Sequence, residues 1–62
     1  DDTGALRSVV DEVIADNPDE ADRYRAGERK LLGFFMGQVM RKTQGTAKPD
    51  LAKELIQAEL GS

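Results

Sequence analysis

The sequence has 62 residues, a net charge of −3, and neither cysteine nor histidine. A chain of this length can hold one small domain, and without cysteine neither disulfides nor a thiolate metal site can stabilise it. The missing histidine removes the commonest general base and transition-metal ligand, so catalysis by these residues alone is disfavoured.

The beginning of the chain predicts an amphipathic helix. Its apolar residues follow the i, i+3, i+4, i+7 spacing that places side chains on one face. They are Leu6, Val9, Val10, Val13 and Ile14. Thr3 or Asp2 can cap this helix, and the Asn17-Pro18 pair ends it, since proline disfavours helical geometry at the preceding residue.

A short second helix is predicted to start at the same Asn17-Pro18 pair. Asn17 suits the N-cap, Pro18 suits the first helical position, and Glu20 stands where a capping box requires it. Gly27 can supply the left-handed residue that ends many helices. The second helix is therefore expected to end just before Gly27.

The third predicted helix runs from Glu28 to Thr43 and is expected to be the buried centre of the fold. Its apolar residues cover more than one face: Leu31, Leu32, Phe34, Phe35, Met36, Val39 and Met40. We expect Phe35, Met36, Val39 and Met40 to be largely buried. Gly45 is the expected stop of this helix.

A fourth helix is predicted from Pro49 to the terminal Gly61-Ser62 pair. Its apolar residues are Leu51, Ala52, Leu55, Ile56 and Leu60. No segment alternates with the two-residue period of a strand. The sequence thus predicts an all-α bundle of three to four helices with short connections.

The chain has neither the basic and apolar regions of a signal peptide nor a membrane span. Its longest apolar stretch, Leu31 to Met40, is interrupted by glycine and glutamine and reaches about half of the roughly 20 residues that a span needs. We therefore expect a soluble, cytoplasmic protein with no membrane partner.

Charge is strongly segregated along the chain. Residues 1–22 carry one positive and eight negative side chains, a net charge of −7, whereas residues 23–49 carry seven positive side chains and one negative, a net charge of +6. Arg41 and Lys42 end the third helix and Lys48 precedes the fourth, so these three cations should lie near one turn, here called the basic turn. They can contact RNA phosphates, or they can be solvated cations that complement the helix dipole.

Several short motifs resemble those of a known family. They are Asn17-Pro18, Tyr24-Arg25-Ala26-Gly27, Gly33-Phe34, Gly37-Gln38-Val39-Met40, Thr43, Gly45, Ala47 and Pro49. Their order and spacing are similar to those of the GatB/YqeY helical domain, which ends the GatB subunit of bacterial glutamyl/aspartyl-tRNA amidotransferases. The most specific part is the glycine-containing apolar helix that leads into the basic turn.

The resemblance implies a small right-handed multihelical bundle over residues 1–62 and a place in a longer subunit. It also implies a parent enzyme that uses ATP, magnesium and an amide donor to convert Glu-tRNA(Gln) or Asp-tRNA(Asn) to the correctly aminoacylated form. The chemistry of that enzyme lies in other parts of the GatB subunit and in a partner subunit, so this domain is expected to be non-catalytic and without a cofactor. Its implied partners are tRNA and the GatA and GatC subunits, and the isolated domain is expected to be a monomer.

Two features depart from the family pattern. Members usually carry lysine or a similar residue where this chain has Gln44 or Thr46, which weakens the basic turn. They usually carry asparagine or aspartate where it has Lys48, so a side-chain N-cap before Pro49 is lost while a positive charge is gained.

Other residues admit a functional and a structural interpretation. Gly33 and Gly37 can admit RNA or a partner, but we expect them to admit a neighbouring helix. Tyr24 can stack on a base, but we expect it to pack against the protein. The apolar side chains of the third helix can line a partner groove, but we expect Phe34, Phe35, Met36 and Met40 to form core. The acidic residues Asp11, Glu12 and Asp16 are interpreted as a solvated face.

Two functions remain open. One is a tRNA-binding appendage that uses Arg41, Lys42 and Lys48, and less directly Arg29 and Lys30, with the acidic first helix facing away from the RNA. The other is a helical docking module that does not contact RNA.

Overall fold

A computed structural model describes residues 2–61, with side chains from Gly4 onward. It contains four helices: α1 (Asp2–Asp16), α2 (Pro18–Arg25), α3 (Leu31–Lys42) and α4 (Pro49–Leu60). No strand occurs in this range, and the predicted all-α bundle is confirmed. The side chains of Asp2 and Thr3, the predicted caps of α1, lie outside the described residues.

All four helices contribute to one core. The buried apolar residues are Leu6, Val10, Val13, Ala21, Tyr24, Phe35, Val39, Ala52, Ile56 and Leu60. The predicted apolar faces of α1 and α4 therefore both point inward, with their remaining members partly buried at the margin. In the described range, no helix combines the length and the apolar character needed to cross a bilayer.

Helix α3 packs against the three other helices, as each of those helices also does. Phe35 and Val39 are completely buried, as predicted, whereas Met36 and Met40 are only partly buried. Tyr24 of α2 meets Phe35 edge-to-face at 6.4 Å between ring centroids, and Phe34 meets the same ring at 5.3 Å. Such aromatic pairs add stability beyond the area they bury.

Helix α3 begins at Leu31, three residues after the predicted Glu28. The reason is the turn that ends α2. Gly27 has a φ of 122°, its N–H donates to the Tyr24 carbonyl, and the Glu28 N–H donates to the Arg23 carbonyl. This is the hydrogen-bond pattern of a Schellman motif, which directs the chain away from the helix axis.

Asn17 does not cap α2 with its side chain. Its side-chain amide instead donates to the Val13 carbonyl at 2.8 Å, so it satisfies the end of α1. The predicted role of Pro18 at the start of α2 is confirmed. Helix α1 ends at Asp16 and α2 begins at Pro18, so Asn17 is the single residue between them. Its side chain binds the end of α1 and is therefore not used to cap α2.

The first testable prediction concerns the centre of the core. Phe35→Ala should lower the free energy of unfolding by about 3–5 kcal/mol, because the removed ring is fully buried and leaves a cavity. The adjacent Phe34→Ala is a matched control: Phe34 is only partly buried, so its loss should cost less. Urea denaturation followed by circular dichroism measures both, and equal costs would contradict the position assigned to Phe35.

Candidate nucleic-acid interface

Gly33 and Gly37 lie on the outward side of α3, and the prediction that another helix packs against them is wrong. Both residues are exposed, and a Cβ atom built on either would meet nothing within 4 Å. The physical reason is helical geometry: each glycine is two residues from Phe35 or Val39, about half a turn away from the core.

Two exposed cations flank the glycines on the same side of the helix. Lys30, Gly33, Gly37 and Arg41 follow the i, i+3, i+7, i+11 spacing of one helical face, and all four are exposed. We call these four residues the glycine face. At 1.5 Å per residue the backbone positions of Lys30 and Arg41 stand roughly 16 Å apart along the axis. At Gly33 and Gly37 the helix backbone between them carries no side chain, and nothing lies within 4 Å of a Cβ built there.

The basic turn begins with a second Schellman motif. The Gln44 N–H donates to the Arg41 carbonyl at 3.2 Å, and the Gly45 N–H donates to the Met40 carbonyl at 2.8 Å. Gln44 takes the left-handed position, with a φ of 55°, and Gly45 follows with a φ of 77°. The helix thus ends one residue earlier than a stop at Gly45 implies, and a residue with a side chain occupies the strained position.

Lys42 is held by the acidic side of α1. Its Nζ atom lies 2.6 Å from a carboxylate oxygen of Glu12 and 3.8 Å from one of Asp16. The hydrogen bond to Glu12 raises the pKa of the Lys42 ammonium group above its ordinary value. The carboxylates of α1 therefore reach one of the three cations of the basic turn.

Lys48 is exposed and occupies the N-cap position of α4. Its backbone has the extended geometry of a cap, with φ −77° and ψ 121°, but no side chain caps the helix. A positive charge here lies at the positive end of the helix dipole, which is an unfavourable place for it. Helix stability therefore does not account for a lysine at this position.

Arg29 and Tyr24 form a structural pair. The Arg29 guanidinium lies 4.7 Å from the centroid of the Tyr24 ring, a cation–π distance. Tyr24 is only 2% exposed, so packing is confirmed and base stacking is excluded in this conformation. Arg29 remains exposed and keeps its charge available at the start of α3.

An open groove of about 590 Å³ lies between the first half of α1 and the basic turn. Its walls are formed by Ala5, Leu6, Val9, Thr43, Thr46, Ala47, Lys48 and Leu51. The Thr43 and Thr46 hydroxyls donate to backbone carbonyls at 2.9 and 2.7 Å, which rigidifies the turn. The groove thus places an apolar surface beside the Lys48 charge.

The described side chains do not form a metal site: no group of three potential ligands comes together among them. Glu12 and Asp16 are instead partners of Lys42. The exposed cations at the two ends of α3 suit anionic ligands such as phosphates.

Comparison with known proteins gives the family. The sequence matches the family described as the GatB domain over residues 1–60. The chain belongs to this family. The resemblance drawn from the short motifs is therefore confirmed.

Two curated relatives of this GatB-domain chain are each named as the B subunit of an aspartyl/glutamyl-tRNA(Asn/Gln) amidotransferase. The protein from Nitratidesulfovibrio vulgaris is 57% identical over 60 residues, which cover 97% of this chain. That from Rickettsia rickettsii is 51% identical over 61 residues, covering 98% of this chain. In each case the chain spans 13% of the relative's length. No solved structure matches the chain significantly.

Two features of the interface were missed from the sequence. The exposure of Gly33 and Gly37 was readable, because they fall opposite Phe35 and Val39 at helical spacing. The contact between Glu12 and Lys42 joins residues that are 30 positions apart in the sequence, so no local sequence pattern predicts it.

The strained residue of the basic turn gives a second prediction. Gln44→Gly should raise the free energy of unfolding by about 0.5–1 kcal/mol, because glycine adopts the left-handed region without the Cβ penalty. Gln38→Gly in the interior of α3 is the matched control and should lower it by about 1 kcal/mol. Thermal or urea unfolding measures both, and destabilisation by both variants would contradict a strained Gln44.

Proposed function

We propose that this chain is a non-catalytic domain that contacts tRNA within an aspartyl/glutamyl-tRNA amidotransferase. The observation that carries the proposal is the glycine face, where two exposed cations flank two exposed glycines with open space beside them. The name of the relatives points to tRNA as the nucleic acid.

The free cations support a phosphate contact. Lys30, Arg41 and Lys48 form no ion pair with any described residue, whereas most other cations of the chain do. An unpaired surface cation that meets a phosphate releases counterions, which is the main source of sequence-independent RNA affinity. These three cations can therefore bind RNA without breaking an existing contact.

The exposed glycines support a close approach. With no side chains at Gly33 and Gly37, a ribose-phosphate backbone can come nearer to α3 than it could to a helix of longer residues. The contacts would be to phosphate and shape, since the two residues between Lys30 and Arg41 on this face are glycines, which have no side chain to read base edges. We therefore expect weak binding that is insensitive to base sequence.

The chemistry of the parent enzyme is proposed to take place elsewhere. ATP with magnesium, the amide donor and the GatA and GatC subunits belong to the larger assembly, and this domain would help to position the tRNA for it. The isolated domain is proposed to be a monomer. Its own tRNA affinity should fall in the roughly 0.1 mM to 1 µM range of non-specific complexes.

A tRNA titration followed by NMR tests the proposal. Amide shifts at low salt should cluster at Lys30, Gly33, Gly37, Arg41, Gly45 and Lys48. Lys30→Gln combined with Arg41→Gln should weaken binding roughly tenfold and reduce the salt dependence of log K by roughly 1.4–1.8, since two phosphate contacts are lost.

Lys53→Gln is the control for a change of exposed lysine charge, because Lys53 lies on α4 outside this surface. It should leave the affinity nearly unchanged. A loss of roughly threefold in the control, which removes one charge where the double variant removes two, would indicate attraction by overall charge alone. Absence of any shift on α3 or the basic turn at low salt would favour the docking module.

Lys48 provides a separate prediction, in which stability and binding change in opposite directions. Lys48→Asn should raise the free energy of unfolding by about 1 kcal/mol, because asparagine can cap α4 and the unfavourable charge is removed. The same variant should bind tRNA more weakly, with a salt slope reduced by roughly 0.7–0.9. Unchanged tRNA binding by the stabilised variant would remove Lys48 from the interface.

A further inference from the structure

Lys42 differs from the other cations of the basic turn because the protein already supplies it with anions. Glu12 and Asp16 reach it from α1, at 2.6 and 3.8 Å. Arg41 and Lys48 have no such partner among the described residues. Two carboxylates around one ammonium group resemble the oxygens that a phosphate would present.

The contact is exposed enough to exchange with a ligand. The side chain of Lys42 is 36% exposed, and those of Glu12 and Asp16 are both 61% exposed. Ion pairs in such a setting are weak, because water screens them and solvates the separated partners. Lys42 is therefore accessible to a phosphate once the two carboxylates are neutralised.

The carboxylates also oppose a phosphate at this position. A phosphate that reaches Lys42 must come within a few ångströms of Glu12 and Asp16, well inside the screening length of about 8 Å at physiological salt. RNA that approaches the glycine face instead meets Lys30 and Arg41. The acidic side of α1 therefore sets a boundary beside the candidate interface.

We propose that Glu12 and Asp16 compete with RNA phosphates for Lys42 and withhold this lysine from the bound RNA. The contact is autoinhibitory: it lowers the affinity of the domain and confines RNA to the glycine face and Lys48. This inference rests on the tRNA contact proposed above, and it assigns the acidic residues of α1 a role that a solvated face does not have.

The test compares carboxylate variants of the full chain by tRNA titration at several salt concentrations. Glu12→Gln with Asp16→Asn should raise the affinity about three- to tenfold at low salt, since both competing charges are removed. The salt dependence of log K should become steeper by roughly 0.7–0.9, because Lys42 gains one phosphate contact.

Asp11→Asn with Asp19→Asn is the matched control, with the same change of net charge. Both residues are exposed, and neither forms an ion pair with a described residue. Asp11 is adjacent to Glu12 in sequence but lies about 100° around the helix from it. This variant should gain much less affinity and keep the original salt slope.

A Lys42→Gln background isolates the mechanism. If Glu12 and Asp16 act through Lys42, their replacement should have little effect once the lysine is gone. A gain that persists in the Lys42→Gln background would show general repulsion and overturn the proposal.

Equal affinities of the carboxylate variant and its control, together with weaker binding by Lys30→Gln/Arg41→Gln, would overturn the competition but leave the tRNA contact intact. Failure of every variant to bind would overturn both. If circular dichroism shows that the double carboxylate variant is unfolded, Glu12→Gln alone takes its place, because Glu12 is the nearer partner.

Discussion

The orientation of α3 depends on the burial of one edge of that helix. Phe35 and Val39 are completely enclosed, and Tyr24 of α2 closes over Phe35 edge-to-face. Once this edge points inward, the 3.6-residue period turns Gly33 and Gly37 outward. The same packing that stabilises the domain therefore creates its uncovered surface. The core side chains Phe35 and Val39 lie on one side of α3, and the exposed glycines of the candidate interface lie on the opposite side.

The two Schellman motifs determine where the cations stand. The motif after α2 delays α3 until Leu31 and leaves Arg29 and Lys30 at the start of that helix. The motif after α3 ends at Gly45, three residues before Lys48 at the N-cap of α4. Cations thus collect at both ends of α3, although the net charge of the chain is negative. Local backbone hydrogen bonds, and not overall composition, organise this surface.

Helix α1 links the acidic and basic parts of the chain. Its Arg7 pairs with Glu59 of α4 at 3.0 Å, and its Glu12 pairs with Lys42 of α3. Each contact is exposed and contributes little to folding by itself. Their effect is on the surface: they neutralise some charges and leave Lys30, Arg41 and Lys48 without partners among the described residues. The RNA-binding proposal and the autoinhibitory contact both follow from this division.

The sequence by itself determined the four helices, their apolar faces and the family, because helical periodicity, proline, glycine and short motifs are local signals. It also identified the cations of the basic turn. Only the tertiary structure decided which helix end Asn17 satisfies and that Lys42 meets Glu12. These outcomes depend on how separate helices pack, and side chains distant in sequence become neighbours only when the shared core fixes that packing.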